Sequence, residues 1–235
     1  MALDPQSVAI RSRLAGILTG RVSDAANIER ARVLAEGALA LSPRDPLAHF
    51  ARAQVLQALG RWQEAAVEYE ASIAGNRNFA LAYSQLAQCR IYSGTIDEAI
   101  PLVERAIRLS PRDPNIVGFY MRIGQVHLLQ SHVDDAIIWL EKARAAAPAM
   151  MWPHTWLAAA YALAGHDAQA ASELAEARSR VADNRVEHDR YSSLARLRAA
   201  GQYATAPGNW GVPQTRALIE ATFFAGLRKA GMPEE

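Results

Sequence analysis

Six histidines, one cysteine and a spaced set of glutamines are the side chains of this 235-residue sequence that could do chemistry. The histidines stand at His49, His127, His132, His154, His166 and His188. No two are four apart, as a zinc pair on one helix face would be, and none sits with a cysteine at finger spacing. The sequence therefore points to no metal and no cofactor. It also lacks a phosphate loop, a G-x-S-x-G turn and a dinucleotide fingerprint. Cys89 reads as a small core residue rather than a nucleophile. No catalytic residue is assigned, and the chain is not read as an enzyme. What remains is binding: each amide of Gln54, Gln88 and Gln125 offers both a donor and an acceptor, which suits the backbone of an extended peptide. The competing reading is that glutamine is simply a soluble helix former.

Elements that repeat must position these glutamines. The phrase LSPRDP occurs at 41–46 and again at 109–114, an interval of 68 residues, or twice 34. Laying the chain out in 34-residue units gives 46–79, 80–113, 117–150 and 151–184, with Pro114 to Ile116 inserted before the third. An earlier unit, 8–45, carries four extra residues. Small residues fall at position 8 (Ala15, Ala53, Ala87, Gly124, Ala158) and at position 20 (Ala31, Ala65, Ala99, Ala136, Ala170), where two helices can approach closely. Position 15 holds Gly60, Gly94, Ser131 and Gly165, the place for a turn with positive φ. Leu14, Leu86, Ile123 and Leu157 at position 7 face Tyr69, Val103, Leu140 and Leu174 at position 24. Pro43, Pro111 and Pro148 end the second helix of their units. Each unit is thus expected to be a helical hairpin.

These positions, above all ALGRWQEAAVEYEASI at 58–73 and YSGTIDEAIPLVERAI at 92–107, resemble the tetratricopeptide repeat over about residues 8–184. The resemblance implies an all-α, right-handed superhelical solenoid of about five helix-turn-helix repeats with C-terminal capping helices. Arg77 stands where the family has proline, and Arg90 and His127 where it has tyrosine. More narrowly, AIRLSPRDP, AIIWLEKARAAAP and ATFFAGLRKAGMPEE resemble the C-terminal repeat regions of bacterial class III adenylate or guanylate cyclases and of winged-helix regulators. That implies a regulatory segment of a larger protein, with no catalytic residue carried over. Residues 1–7 read as the remnant of a preceding repeat, so the first unit should expose an apolar end that favours weak self-association.

In each first helix, positions 2, 5, 9, 12 and 13 form a stripe away from the partner helix. The stripe is expected to line the inner curve and bind a protein or peptide segment. Its candidate residues are Phe50, Gln54, Gln57, Gln88, Tyr92, Met121, Gln125 and Trp152, with Arg122 adding one charge. Repeat proteins of this family that clamp acidic chaperone tails line the groove with lysines; here the stripe is mostly neutral, so a largely uncharged ligand is expected.

Bulk properties narrow the partner class. With 25 Lys and Arg against 24 Asp and Glu, net charge is +1, which gives no field to hold nucleic acid or an anionic membrane. One cysteine builds no disulfide framework, no apolar run approaches the ~20 residues of a membrane span, and MALDPQSVAI is not an export signal. A cytoplasmic setting is the expectation. Beyond 184 the pattern stops. Residues 185–235 read as helices around a Gly- and Pro-rich loop, with Leu218, Ile219, Phe223, Phe224 and Leu227 forming one apolar face. They are expected to cap the last unit; the alternative places the terminal helix in the groove as an internal ligand or pairs two chains.

Overall fold

The computed structural model describes residues 7–20, 24–182, 184–201, 206 and 208–235. The reading of a preceding-repeat remnant falls on residues outside that range, apart from Ser7. The described residues are helical, and ten of the helices pack as consecutive pairs: α1 (Val8–Leu18) with α2 (Ala25–Leu41), α3 (Pro46–Ala58) with α4 (Trp62–Gly75), α5 (Ala80–Tyr92) with α6 (Ala99–Leu109), α7 (Ile116–Leu129) with α8 (Val133–Ala146), and α9 (Met151–Leu163) with α10 (Asp167–Ser179). First helices also touch first helices, α1 on α3, α5 on α7 and α7 on α9, whereas each second helix packs mainly on its partner and on the next first helix. First helices therefore line the inner curve of a helix-turn-helix solenoid.

The hairpin crossings are as tight as small side chains permit. Ala15, Ala53, Ala87 and Ala158 are fully buried, as are Ala31, Ala65, Ala99, Ala136 and Ala170. At Gly124 the approach is closer still: a methyl group there would lie 2.6 Å from Leu140 Cγ. A larger residue at these places would force the helices apart. Each of four hairpins turns through a residue of positive φ: Gly60 (71°), Gly94 (92°), Ser131 (63°) and Gly165 (81°). Ser131 bears a steric cost there that glycine does not.

Local signals explain the repeated hexapeptide. Asp45 accepts hydrogen bonds from the backbone N–H groups of Leu47 (2.8 Å) and Ala48 (2.9 Å), capping α3, and Pro46 occupies its first turn. Pro carries no N–H, and the first turn needs none. In the second copy Asp113 caps the turn at Asn115 (2.8 Å), and α7 starts only at Ile116, which absorbs the inserted residues. A clasp invisible to the apolar pattern occurs twice. His49 Nδ1 pairs with Glu68 (2.7 Å) and its Nε2 with the Pro43 carbonyl (3.0 Å); His154 pairs likewise with Glu173 (2.6 Å) and the Pro148 carbonyl (3.0 Å). Both stand at position 4 with their glutamates at position 23, so the clasp ties the two helices of a unit to the preceding loop.

At the edge the first unit exposes apolar side chains, and Leu14 does not share the burial of its equivalents. Leu14 is 43% exposed and Ile17 75%, although Leu86, Ile123 and Leu157, at Leu14's position, are buried. Those three lie on helices that pack against the second helix of the unit before. No described helix occupies that side of α1.

After α10 come α11 (Arg185–Arg190), α12 (Leu194–Ala200) and α13 (Pro213–Ile219), which runs through a π-turn at Glu220–Phe224 into α14 (Ala225–Lys229). The wide turn brings the adjacent Phe223 and Phe224 to one side, and both are buried with Ile219 and Leu227.

Candidate functional site

Between α5, α7 and the start of α9 lies a cavity of about 360 Å³. Gln88, Met121, Arg122, Gln125 and Trp152 line it, together with Leu81, Gln85, Asn115 and Met150. Three successive first helices thus contribute one wall each, which is what a stripe repeated every unit produces. Phe50 and Gln54 belong elsewhere. They line a second, apolar cavity of about 400 Å³ between α1 and α3, beside Ile17 and Phe79.

Gln57 and Tyr92 depart from the expected groove-facing stripe. Gln57 is 2% exposed and Tyr92 1%. Gln57 accepts a hydrogen bond from the Tyr69 hydroxyl and donates to Gln88 Oε1 (2.8 Å). Tyr92 stacks on Trp62 with ring centroids 4.6 Å apart. Thr155 and Leu129, also on the stripe, are buried too. The C-terminal segment docks on this side of α5 and α9. Val212 N–H donates to the Tyr92 carbonyl (2.9 Å), the Thr215 hydroxyl donates to the Ile91 carbonyl (2.9 Å), and Asn209 bridges Trp62 Nε1 (3.0 Å) and the Gly60 carbonyl (3.2 Å). Further along, Phe223 stacks on Trp156 at 4.1 Å and Gly226 meets the backbone of Ala159. Residues 209–229 therefore run across the C-terminal ends of the first helices, from the α3–α4 turn to α9, and leave the N-terminal halves open.

Of the three ladder glutamines, Gln88 is wired into a network with Gln57, Gln85 and Arg122. Gln88 Oε1 accepts from Gln57 and from Arg122 Nη2 (2.9 Å). Arg122 also donates to Gln85 Oε1 and to the Gly118 carbonyl (2.9 Å). The guanidinium is fixed by several neutral acceptors on two helices, so it is pre-oriented at the cavity wall. Gln88 uses its oxygen inside the network, and its NH₂ remains the donor toward the cavity. Gln85 is not on the stripe, and its position 6 gives no apolar signal; only the approach of α7 to α5 reveals it. Beneath the network Cys89 is buried, and desolvation pushes its thiol up to about 12 against the opposing pull of Arg122 and Arg90. A neutral buried thiol is a core group, not a nucleophile. Arg90 reaches out of its core-facing position to Glu70 and to Glu98 (3.1 Å).

A family model described as tetratricopeptide repeat matches residues 20–80 and 84–150. The chain belongs to the tetratricopeptide repeat family. Solved structures agree on the fold: a thermophilic tetratricopeptide repeat protein of Thermus thermophilus superposes with a TM-score of 0.64 at 22% identity, covering 77% of this chain and 95% of that one. PilW, a type IV pilus biogenesis factor, gives 0.67 at 19% identity, covering 94% and 96%. YrrB, described as having an unusual peptide-binding site, gives 0.51 at 16%, covering 77% and 90%. A curated relative, U-box domain-containing protein 70 of rice, is 32% identical over 77 residues. The chain spans only 9% of that protein's length. Tetratricopeptide repeats generally mediate protein–protein interaction, and no described helix is long and apolar enough to cross a membrane.

Proposed function

We infer that this chain is a non-catalytic interaction module that binds an extended, largely uncharged segment of a partner protein across α5, α7 and α9. The observation that carries this reading is the cavity to which three successive repeats contribute Gln88, Met121, Arg122, Gln125 and Trp152. Met121 and Trp152 offer apolar footing, the amides pair with ligand backbone, and Arg122 supplies one positive charge. YrrB, similar in fold, is named for peptide binding, which supports the same use of the fold here. A protein rather than nucleic-acid partner accords with the net charge of +1, and the same reading keeps the cytoplasmic setting expected from the single cysteine. Phe50 and Gln54 form a separate apolar site next to the exposed Ile17, and weak self-association through that end belongs to the same reading.

A random-peptide library selected against the full chain tests it. Selected peptides should lose about tenfold or more in affinity on Trp152→Ala or Gln125→Ala, a loss of ~1.4 kcal/mol or more. No selectable peptide, or peptides indifferent to both substitutions, would overturn it.

A second reading is favoured by the hydrogen bonds of Val212 and Thr215 to the carbonyls of Tyr92 and Ile91. Here residues 209–229 are an internal occupant of the inner face; that the chain is the regulatory region of a larger cyclase or transcriptional regulator rests on the sequence resemblance alone. Removing residues 213–235 separates the roles. Intact folding with new peptide affinity marks an occupant; loss of folding marks a cap.

A further inference from the structure

We propose that the α7–α8 turn is a binding site for a borderline divalent cation of the zinc class, with His127, His132 and Asp135 as ligands. Their donor atoms all lie within 4.8 Å of one another. Five residues of unbroken helix would set His127 and His132 on different faces, since each residue turns about 100°. Here the helix ends between them. Ser131 adopts φ 63°, and the N–H of His132 closes back onto the His127 carbonyl at 2.8 Å. This closure brings together the side chains at its two ends, usually an apolar pair. In this unit both are imidazoles, with ring centroids 6.0 Å apart.

The other repeats show what the same turn holds by default. The equivalent positions carry an Arg61–Glu64 ion pair in one unit and an Arg90–Glu98 ion pair in the next. The last unit keeps a ring pair, Tyr161 and His166 at 5.9 Å, but has Gln169 where a carboxylate would stand. Only the 117–150 unit replaces the arginine with a second imidazole while keeping the acid. Two imidazoles and a carboxylate in place of an arginine–carboxylate pair are a donor set for a cation. A second observation points the same way: His127 Nδ1 is shut off from solvent with no hydrogen-bond partner, an unmet group of the kind an ion accounts for.

A tetrahedral zinc ion with bonds of about 2.1 Å holds its ligands about 3.4 Å apart. His132 and Asp135 are exposed and can rotate to that spacing, and a fourth position stays open to water or to a partner's side chain. No bond is made or broken beyond coordination.

Calorimetric titration of the full chain with Zn²⁺ in a non-chelating buffer tests the assignment, with Co²⁺ absorption reporting ligand geometry. One ion should bind per chain. His132→Gln and Asp135→Asn, both at exposed positions, should each weaken binding by about tenfold or more, while His166→Gln leaves it unchanged. Absence of saturable binding, binding that survives both substitutions, or equal loss in His166→Gln would each overturn the proposal. So would Mg²⁺ binding as tightly as Zn²⁺, because a hard cation does not select imidazole.

Discussion

Gly226 lies so close to Ala159 that a methyl group at Gly226 would sit 2.5 Å from the Ala159 carbonyl oxygen. This contact seats the terminal helix on the inner face of the last repeat. Gly226→Ala should destabilise the chain by about 1–3 kcal/mol, because backbone cannot yield as a flexible side chain can. Urea denaturation measures it, and an unchanged midpoint would show that α14 is not seated as described.

The buried amide of Gln57 is the acceptor of the Tyr69 hydroxyl. Gln57→Leu should cost about 1–3 kcal/mol, since a donor that loses its acceptor in the interior keeps its desolvation penalty. Adding Tyr69→Phe should recover part of that loss, as the two residues act through one network. Strict additivity of the two single losses would contradict the pairing.

Cys89 links stability to alkaline pH. Its thiol is raised by burial from 9.0 to about 12, so the folded state keeps a proton that the unfolded state releases. The contribution is fully present below pH 9.0 and is lost as pH rises toward about 12. Cys89→Ala should flatten part of that decline in a denaturation series. In the native chain at neutral pH, a thiol reagent should react at Cys89 only on unfolding.

Ala99 tests the repeat frame itself. It is fully buried where α6 starts against α5. Ala99→Leu should cost about 1–3 kcal/mol through overpacking, read as a lower thermal midpoint. A neutral result would mean that the helices do not cross there.

How much of this was legible beforehand depended on whether a property repeats. Ala53, Ala87 and Ala158 at one position and Ala65, Ala99 and Ala170 at another carry the hairpin in one dimension, because each unit solves the same packing problem with its own neighbours. The glycines at 60, 94 and 165, with Ser131, carry the turns for the same reason. Gln88, Met121, Gln125 and Trp152 meet at one cavity because the stripe repeats with the unit; Arg122, at position 6 like Gln85, lies beside the stripe and joins them.

Other features have no periodic signature. The pairing of Gln57 with Gln88 and of Arg122 with Gln85 depends on which neighbouring side chains reach each other between units. The proximity of His127 and His132 depends on a helix stopping between them. Docking at the end of α5 depends on a segment more than a hundred residues away: Val212 finds the Tyr92 carbonyl, Thr215 the Ile91 carbonyl, and Asn209 the indole of Trp62.

By itself the sequence determined a helix-turn-helix solenoid of the tetratricopeptide type, since this follows from local periodicity and nearest-neighbour packing. Only the tertiary structure decided which part of the inner stripe is open. A non-repeating tail can return over the array, and its docking is settled by hydrogen bonds and stacking between residues far apart in the chain, which leave no pattern in the sequence of either partner.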